Sequence, residues 1–409
     1  MRSFSLRQIC SIAFLFSLLL SSPRFLIAAE GSHKQLTPDQ ISSGWIQLFD
    51  GETLFGWKST GHNNWHVENG AITADTGPIG ALHTTMEFAD YEFFCEFQMD
   101  KDANSAVFVH SLFNPQDPVK ECYEVNLCDN HPKFKTGGIV GLAPPDKFIP
   151  GEGGWKSMSL VVKGPLIKVS IDDQEVLKFA DKSPTARKSG LLGLQKNAGK
   201  VSFRNIRLRP LLSASLLNGN DLTGWHLVSG GKSKFSIKEG ELHVENGRGY
   251  LESDNQYGDF ILQSEIFSNG KHLNSGIFFR AIAGTEQNPA DGYEAQVRNQ
   301  WDGDDRSKPV DFGTGGIYRR IPTRKVVSSD FEWFTMTVAA RGPQFSVWVN
   351  GYPVTDWIDT RKPDDNPRKG LRTAAGHLSI QGHDPTTDLR FRNFRIAELP
   401  VSESPRKSR

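Results

Sequence analysis

The feature that most restricts the fold of this chain is an internal duplication. A short segment, Glu121–Asn126, returns as Asp291–Gln296, and the motifs before and after it return in the same order. The glutamates at the centres of the two segments, Glu124 and Glu294, lie 170 residues apart. A period of this length is far too long for a solenoid repeat and matches a complete domain. The sequence therefore predicts two consecutive domains of one fold, as expected for a chain of 409 residues.

The duplication extends over the whole of each copy. Paired motifs follow one order in both halves: Leu48–Trp57 with Leu216–Trp225, Val67–Ile72 with Ile237–Leu242, Asn104–His110 with Asn274–Arg280, Thr136–Ile139 with Thr314–Ile317, Lys163–Pro165 with Arg341–Pro343, and Phe203–Arg207 with Phe391–Arg395. The second copy holds eight extra residues between its central glutamate and its Thr-Gly-Gly-Ile motif, since this separation is 12 residues in the first copy and 20 in the second.

Both copies have the residue pattern of antiparallel sheets. The chain contains 39 glycines and 22 prolines, and short alternating segments are separated by Gly, Pro, Asn and Asp. No segment with a helical period is longer than a few turns. Two sheets packed face to face bury one face of each sheet. We therefore predict an all-β protein that consists of two tandem jelly-roll β-sandwiches.

The predicted boundaries leave almost no linker between the sandwiches. Residues 1–29 have the pattern of a secretory signal peptide, because basic residues precede an apolar run that is followed by small residues. An uncleaved membrane anchor is the alternative for this segment. Residues 30–44 form a leader with a short helical turn, 45–210 the first sandwich, 211–398 the second, and 399–409 a polar tail. The remaining chain has no further long apolar run, so we expect no membrane span after signal removal and a secreted or periplasmic location in the cell envelope.

Charge and cysteine content argue against two kinds of site. Without the predicted signal, which holds three arginines and no acid, 44 basic side chains face 47 acidic ones. This balance argues against a nucleic-acid partner, because phosphate binding requires a clustered basic surface. Three cysteines remain, and Cys122 and Cys128 can form a disulfide only if the strand between them bends. The absence of a Cys-x-x-Cys motif argues against a cysteine zinc site.

The central strand of each copy separates an apolar face from a polar one. Successive side chains of a strand point to opposite faces, so Glu294, Gln296 and Arg298 share one face. Glu124 and Asn126 share the corresponding face in the first copy. A carboxylate and an amide held in a fixed relation by a buried sheet are suited to a sugar site. The alternative is an ordinary strand glutamate that is exposed or paired with an arginine.

With these motifs in view, each copy resembles the 3-keto-disaccharide hydrolase family, which is also described as 3-keto-glucoside lyase and hydratase. The resemblance covers roughly 45–210 and 214–397 and depends on seven motifs in order, including Asn274–Arg280, Gly292–Gln296 and Gln381–His383. It implies a concanavalin-like jelly roll and a carbohydrate substrate oxidised at C3. A ketone at C3 acidifies the hydrogen on C2, so that one base can start the β-elimination of the group on C1.

The resemblance also implies roles for residues at matching positions. In the second copy, Glu294 is the expected active-site carboxylate, either the base or the group that binds a sugar hydroxyl. Arg280 is the group expected to stabilise the enolate oxygen, and His383 a histidine that faces the site. A structural ion pair between Arg280 and Glu294 is the alternative. Glu124 and His110 are the candidates in the first copy. The expected sugar-binding residues are Asn274, Gln296, Gln381 and Trp301 in the second copy and Asn104, Asn126 and Gln195 in the first.

The first copy departs from the family pattern at two of these positions. His110 replaces the arginine, and Asn197 replaces the histidine that corresponds to His383. We therefore expect the second copy to be the catalyst and the first to bind substrate or to act on a different ligand. The acidic loop Trp301–Asp305 could hold calcium, although its spacing is not specific. The sequence requires no cofactor, and a divalent metal stays possible.

Two other classes of function fit a jelly roll. A lectin-like sandwich would bind sugars without catalysis, because this fold does not determine function. A conventional glycosidase needs two carboxylates on either side of the scissile bond. The second and fourth residues after Glu294 are Gln296 and Arg298, so the second acid is missing locally and this class ranks third.

Overall fold

The computed structural model describes residue 1 and residues 34–400, so the predicted signal peptide and most of the polar tail lie outside the described residues. The leader contains α1 (Pro38–Ser42), and the first half contains α2 (Pro118–Glu121). The strands of the first half are β1 (Ile46–Gln47), β2 (Trp57–Thr60), β3 (His66–Glu68), β4 (Ala71–Ala74), β5 (Gly80–Phe88), β6 (Tyr91–Met99), β7 (Asn104–Ser111), β8 (Tyr123–Leu127), β9 (Lys156–Lys163), β10 (Leu166–Ile171), β11 (Gln174–Ala180), β12 (Gly190–Ala198) and β13 (Val201–Pro210).

The second half repeats this order. Its strands are β14 (Ala214–Ser215), β15 (Trp225–Leu227), β16 (Lys234–Lys238), β17 (Glu241–Glu245), β18 (Gly249–Tyr257), β19 (Phe260–Ser268), β20 (Ser275–Ile282), β21 (Asp291–Val297), β22 (Trp333–Arg341), β23 (Gln344–Val349), β24 (Tyr352–Ile358), β25 (Gly376–Gly382) and β26 (Asp388–Glu398).

Each half is a sandwich of an eight-stranded and a five-stranded antiparallel sheet. In the first half the larger sheet has the order β11-β10-β9-β6-β13-β4-β3, with β1 beside β13, and the smaller sheet has the order β2-β5-β12-β7-β8. The second half has the equivalent orders β16-β17-β26-β19-β22-β23-β24, with β14 beside β26, and β15-β18-β25-β20-β21. The all-β prediction of two tandem sandwiches is confirmed.

The repeated opening motif is explained by a tryptophan at the edge of each core. Trp57 and Trp225 are buried, and their indole nitrogens donate to the backbone oxygens of Leu48 and Leu216, nine residues earlier. A buried indole must find an acceptor for its N–H, and the turn before it supplies one. These tryptophans are therefore parts of the core and are not sugar platforms.

The Phe-Arg-Asn-Phe-Arg ending marks a bulge in the last long strand of each half. Asn205 and Asn393 have φ angles of 54° and 50°, and the ladder with the neighbouring strand shifts register there. Asparagine tolerates this left-handed conformation better than most residues do. Beside the bulge, Arg392 Nε donates to Glu265 Oε2 at 2.7 Å, and Asn393 Nδ2 donates to Glu265 Oε1 at 2.6 Å. The motif thus fixes a bulge within the larger sheet of each half.

The two halves contact each other directly, as the short linker predicts. Three residues connect β13 to β14. Trp348 on β23 is 5% exposed and packs with the core residues of the first half, and its indole nitrogen donates to Gln47 O at 2.9 Å. An ion pair joins Arg324 Nη2 to Asp50 Oδ2 at 2.8 Å. A small pocket at this contact is lined by both halves and includes Asp356, whose pKa is raised by burial.

Residues 34–400 contain two short helices and three cysteines. A capping box formed by Thr37 and Gln40 begins α1, which confirms the predicted helical turn in the leader. No helix within residues 34–400 is long and apolar enough to cross a membrane. The three cysteines in this part of the chain are buried and form no disulfide. Burial raises the pKa of the Cys95 and Cys122 thiols, so neither is a reactive thiolate.

Candidate functional site

The smaller sheet of the second half carries two rows of side chains on the face that points away from the sandwich core. We call this set the second outer face: Glu252, Ser379, Phe278 and Glu294 in one row, and Tyr250, Gln381, Gly276 and Gln296 in the next. All eight residues are buried. Loops must therefore cover this face, although a sheet face outside the core would otherwise be open to water.

Glu294 is the central acid of this face. It lies on β21 and is 4% exposed. Burial raises the pKa of its carboxyl to about 7, and the nearby Asp311 charge acts in the same direction, whereas Arg368 and Arg319 oppose the shift. Arg368 Nη2 lies 3.2 Å from Glu294 Oε2. The carboxyl therefore exchanges its proton near neutral pH, which is the range for a general base.

Arg368 reaches the carboxylate from an insertion that the first half lacks. In the second half, Tyr293 donates its hydroxyl to Asp359 Oδ2 at 2.7 Å and accepts from the backbone N–H of Arg372 at 2.9 Å. The first half has the same anchor, in which Tyr123 bonds Asp181 and Arg187 at 2.7 and 3.0 Å. The chain between the two anchor points holds 12 residues in the second half (360–371) and five in the first (182–186).

Sequence reasoning missed Arg368. The segment that carries it belongs to no repeated motif, and the only available signal was the difference in length between the copies. Within the insertion, the guanidinium lies 5.0 Å from the ring centroid of Phe278 as well as beside Glu294. The cation therefore covers both an aromatic ring and a carboxylate of the outer face.

Amide groups extend the site on both sides of Glu294. Gln296 Nε2 donates to Asp311 Oδ2 at 3.2 Å, and Asn274 Nδ2 donates to the same oxygen at 3.0 Å. Gln381 Nε2 donates to the Tyr250 hydroxyl at 3.1 Å. The amide oxygens of Gln296 and Gln381 and the hydroxyl of Ser379 are buried and have no hydrogen-bond partner in the described chain. Such orphaned groups point to a ligand that would supply their partners.

Gly276 leaves room for the carboxylate. A Cβ placed on this residue would lie 2.7 Å from Glu294 Oε1 and 2.8 Å from its Cγ. Contacts this short would force the side chain of Glu294 to move. Ala106 occupies the same register position in the first half, opposite Asn126.

Arg280 was expected to stabilise an enolate or to pair with Glu294, and the structure contradicts both expectations. A bulge at Arg280, where φ is 49°, turns its side chain away from the outer face. The guanidinium is fully buried and donates to Asp259 Oδ1 at 2.9 Å and to the backbone oxygens of Gly258 and Gly342. Its role is to hold the end of the sandwich together.

His110 is the equivalent residue of the first half, and the structure contradicts its expected place in the site as well. It has a φ of 50° at the equivalent bulge and is fully buried. Its Nε2 lies 2.7 Å from Ala89 O and its Nδ1 3.1 Å from Arg187 O, and burial lowers its pKa. The ring is thus a structural group in contact with backbone carbonyls, not a proton shuttle beside Glu124.

The remaining expected site residues of the second half lie at its margin. His383 follows β25, its side chain is 41% exposed, and its Nδ1 lies 2.9 Å from Asp384 Oδ2, so its polar partner is not Glu294. The ring of Trp301 is covered by the guanidinium of Arg306 at 4.1 Å. In the same loop, Asp305 accepts bonds from the backbone and hydroxyl of Ser307 and forms a turn. Within residues 34–400, no group of three or more His, Cys, Asp or Glu side chains is arranged to hold a metal ion.

The first half presents a weaker version of the same arrangement. Glu124 is buried, its pKa is raised by burial, and it accepts a bond from Gln195 Nε2 at 3.0 Å. No ion pair within residues 34–400 includes it. The Asn126 amide is occupied by the backbone oxygen of Phe134, and Asn104 begins β7 at the end of the sheet. The structure thus brings Glu124 and Gln195 together but gives them no cation.

A comparison with known families matches both halves. The model of the 3-keto-alpha-glucoside-1,2-lyase-like domain fits residues 44–209 and 213–397. The chain belongs to this family. Its smaller sheets and their outer faces are therefore those of two 3-keto-alpha-glucoside-1,2-lyase-like domains in one chain, and the protein is a carbohydrate-active protein related to the 3-keto-disaccharide hydrolases.

The chain is also similar to one relative and to two solved structures. The chain is 28% identical over 254 residues to a 3-keto-disaccharide hydrolase of Bacteroides thetaiotaomicron, a match that covers 47% of this chain and 86% of the relative. A crystal structure of a glycosyl hydrolase candidate from Parabacteroides distasonis is 20% identical, with a TM-score of 0.39 and coverage of 44% and 100%. The carbohydrate-binding module CBM66 from Bacillus subtilis is 16% identical, with a TM-score of 0.30 and coverage of 38% and 95%.

Proposed function

We propose that the second domain cleaves glycosides that carry a ketone at C3, with Glu294 as the base. The observation that carries this proposal is the buried Glu294 carboxyl with a pKa of about 7, held 3.2 Å from the Arg368 guanidinium. A base with this pKa is half ionised at neutral pH and balances availability against proton affinity. The family assignment and the hydrolase relative support a 3-keto sugar as the substrate.

The chemistry needs only one base and one cation. Glu294 takes the proton from C2, and the electron pair of that C–H bond delocalises onto the C3 oxygen as an enolate. Arg368 is the group that offsets this developing negative charge. The enolate then collapses, a C1–C2 double bond forms, and the C1–oxygen bond breaks. The proton held by Glu294 returns to the leaving oxygen, and addition of water across the double bond completes a net hydrolysis.

The orphaned amide oxygens provide the binding part of this proposal. Gln296 and Gln381 lie in the row beside Glu294, and their buried oxygens can accept bonds from sugar hydroxyls. A hydroxylated ligand would satisfy these atoms, whereas an apolar ligand would leave them unpaired. The site therefore favours a carbohydrate over other small molecules.

The activity of two variants tests this proposal. Glu294→Gln removes the base, and Arg368→Ala removes the cation, so kcat for a 3-keto-glucoside should fall by roughly 100-fold or more in each. In the wild type, kcat/KM should rise with pH through about 7, as Glu294 loses its proton. The measurement is the loss of keto-sugar in purified full-length protein, with and without EDTA.

Glu124→Gln in the first domain is the matched control, since it makes the same change on the equivalent strand and should leave turnover unchanged. Turnover of Glu294→Gln at the wild-type rate would contradict the proposal. Binding of the keto-sugar without any turnover would instead favour the lectin-like function.

A conventional glycosidase remains the weaker alternative. Glu252 is a second carboxylate in the same row as Glu294, but three strand spacings separate them, which is roughly 14 Å between backbones. Carboxylates that work as a pair on one glycosidic bond are about 5 to 9.5 Å apart. Glu252 also accepts bonds from the backbone N–H of Gly284 and contacts His226, so it has structural partners.

A further inference from the structure

The smaller sheet of the first half also has an outer face, which we call the first outer face. Its side chains differ from those of the second outer face. The row that contains Glu124 runs through Phe108, Gly193 and His83 to Lys58 across five strands. Phe108 and Glu124 match Phe278 and Glu294 of the second outer face. The rest of the row differs, because His83 stands where the second half has Glu252 and glycine stands where it has Ser379.

The neighbouring row differs in size. Ala81 occupies the position of Tyr250, beside Gln195 on β12. Because no tyrosine hydroxyl is present there, the Gln195 amide bonds Glu124 instead, at 3.0 Å. Replacing tyrosine with alanine also removes most of a ring from above the sheet. The side chain beside the glutamine is therefore smaller in the first half than in the second.

Two buried polar atoms on this face have no partner in the described chain. Gln195 Oε1 is one, and Nδ1 of His83, a fully buried residue, is the other. Burial lowers the pKa of His83 to about 4, so the ring is neutral at physiological pH. Its Nε2 lies 3.3 Å from the Ser111 hydroxyl, which leaves Nδ1 to bond a ligand. Neutral acceptors of this kind match sugar hydroxyls and do not match an anion.

An exposed aromatic ring borders these atoms. Phe113 is 44% exposed, its ring centroid lies 5.6 Å from that of His83, and the Lys58 ammonium lies 5.0 Å from its centroid. A large exposed aromatic beside unpaired buried polar groups is the combination found in ligand sites, where an apolar surface packs and a few polar groups orient. The C–H face of a sugar ring is such an apolar surface.

We propose that the first outer face binds an unoxidised sugar unit through Phe113, His83, Gln195 and Glu124 and does not cleave it. The absence of a cation on Glu124, among the ion pairs of residues 34–400, removes the group that would stabilise an enolate. A site without this charge has no preference for the ketone. The first domain then holds a carbohydrate chain while the second domain acts on an oxidised unit, an inference that rests on the proposed function of the second outer face.

Binding of methyl α-glucoside and maltose to the full chain, measured by isothermal titration calorimetry and saturation-transfer NMR, tests this proposal. The wild type and Glu294→Gln should bind the unoxidised sugars alike. Phe113→Ala and Gln195→Leu should weaken binding at least about tenfold, because each removes a contact surface or the partner of a sugar hydroxyl. Phe113→Ala should leave turnover of the keto-sugar unchanged.

Phe148→Ala is the matched control. Phe148 is 40% exposed and is also covered by a lysine, Lys135. The two residues before it bond the backbone oxygen of Val176, which belongs to the larger sheet. Three results would overturn the proposal: no binding by the wild type at millimolar sugar, loss of binding in Glu294→Gln, or unchanged binding in Phe113→Ala. If the keto-sugar is turned over but unoxidised sugars do not bind, only this inference is wrong. If unoxidised sugars bind but the keto-sugar is not turned over, only the proposed function is wrong.

Discussion

The proton affinity of Glu294 arises from its surroundings. On an open strand it would be an ordinary carboxylate, but the covered outer face removes it from water and raises its pKa to about 7, despite a guanidinium at 3.2 Å. The energetic cost of burying the charge is therefore only partly offset by the ion pair. A group that is costly to ionise in the folded state must also make the free energy of unfolding depend on pH.

The raised pKa of Glu294 predicts how the free energy of unfolding changes with pH. The folded pKa lies above the ordinary value of 4.5, so the contribution of Glu294 to stability is complete below pH 4.5 and is lost as the pH rises to about 7. The loss amounts to about 3 kcal/mol, since one pKa unit corresponds to roughly 1.4 kcal/mol. Glu294→Gln should lack this loss, so its free energy of unfolding relative to wild type should increase between pH 4.5 and 7.

Urea unfolding of both proteins at several pH values measures this difference. Glu124→Gln is the comparison in the first domain and should show a change of the same sign, because burial raises that pKa too. Parallel stability curves for wild type and Glu294→Gln would contradict the assigned pKa.

Arg280 shows where residue-level prediction from the sequence stops. Alternation along β20 places it on the face of Phe278, but an extra residue in the strand changes the alternation, and the side chain points to Asp259 instead. Glu294 was placed correctly because β21 is regular up to that residue. A bulge depends on contacts with the neighbouring strand, so no pattern within one strand reveals it.

At the scale of elements, the segment 360–371 is a structural difference between the two copies that bears on the proposed site. Both ends of the segment are anchored in the same way in the two halves, by the tyrosine and aspartate that bond each other. Its extra length brings Arg368 onto the outer face. An insertion between fixed anchors can thus add a charged group to a sheet without disturbing the strands.

Exchanging this segment provides a prediction. Replacing residues 360–371 with residues 182–186 should preserve folding, because the Tyr293–Asp359 anchor remains, while turnover of the keto-sugar falls by roughly 100-fold through loss of the Arg368 charge. Thermal unfolding and steady-state kinetics on one preparation measure both effects. Arg368→Lys within the native segment is the control and should keep part of the activity.

Equal turnover in the exchanged protein would show that the cation is not needed. A collapse of thermal stability together with activity would show that the insertion is structural, and Arg368→Ala would then separate the charge from the backbone.

The duplication allowed the elements themselves to be predicted. Strands that alternate, end at glycine and recur in order specify sheets, and the motif pairs fixed which strands correspond. The insertion could not be predicted in the same way. It has no counterpart in the first copy, and its course depends on tertiary contacts such as the one between Arg368 and Phe278.

At the scale of the whole molecule, the two sandwiches share a buried contact. Trp348 of the second half lies among the core residues of the first and bonds Gln47, and the ion pair between Arg324 and Asp50 also joins the two halves. A buried tryptophan that belongs to one core by sequence and to another by packing couples the stability of both.

Removal of this side chain tests the coupling. Trp348→Ala should lower the free energy of unfolding by about 3–5 kcal/mol, as expected for loss of a large buried side chain, and should divide one calorimetric transition into two. Trp333→Ala is the control, because Trp333 is only half-buried and stacks on the Arg392 guanidinium at 3.9 Å. A single transition of unchanged midpoint in Trp348→Ala would contradict the coupling.

The position of β24 has a further consequence. It is the last strand of its sheet, and its hairpin with β23 lies against the first half, where the backbone N–H of Gln47 donates to Gly351 O at 2.8 Å. Truncation at the three-residue connection would uncover Trp348 and free the Gly351 oxygen, so the isolated second sandwich would expose an apolar patch that the intact chain buries and would self-associate. The first sandwich therefore also serves as a built-in shield against aggregation.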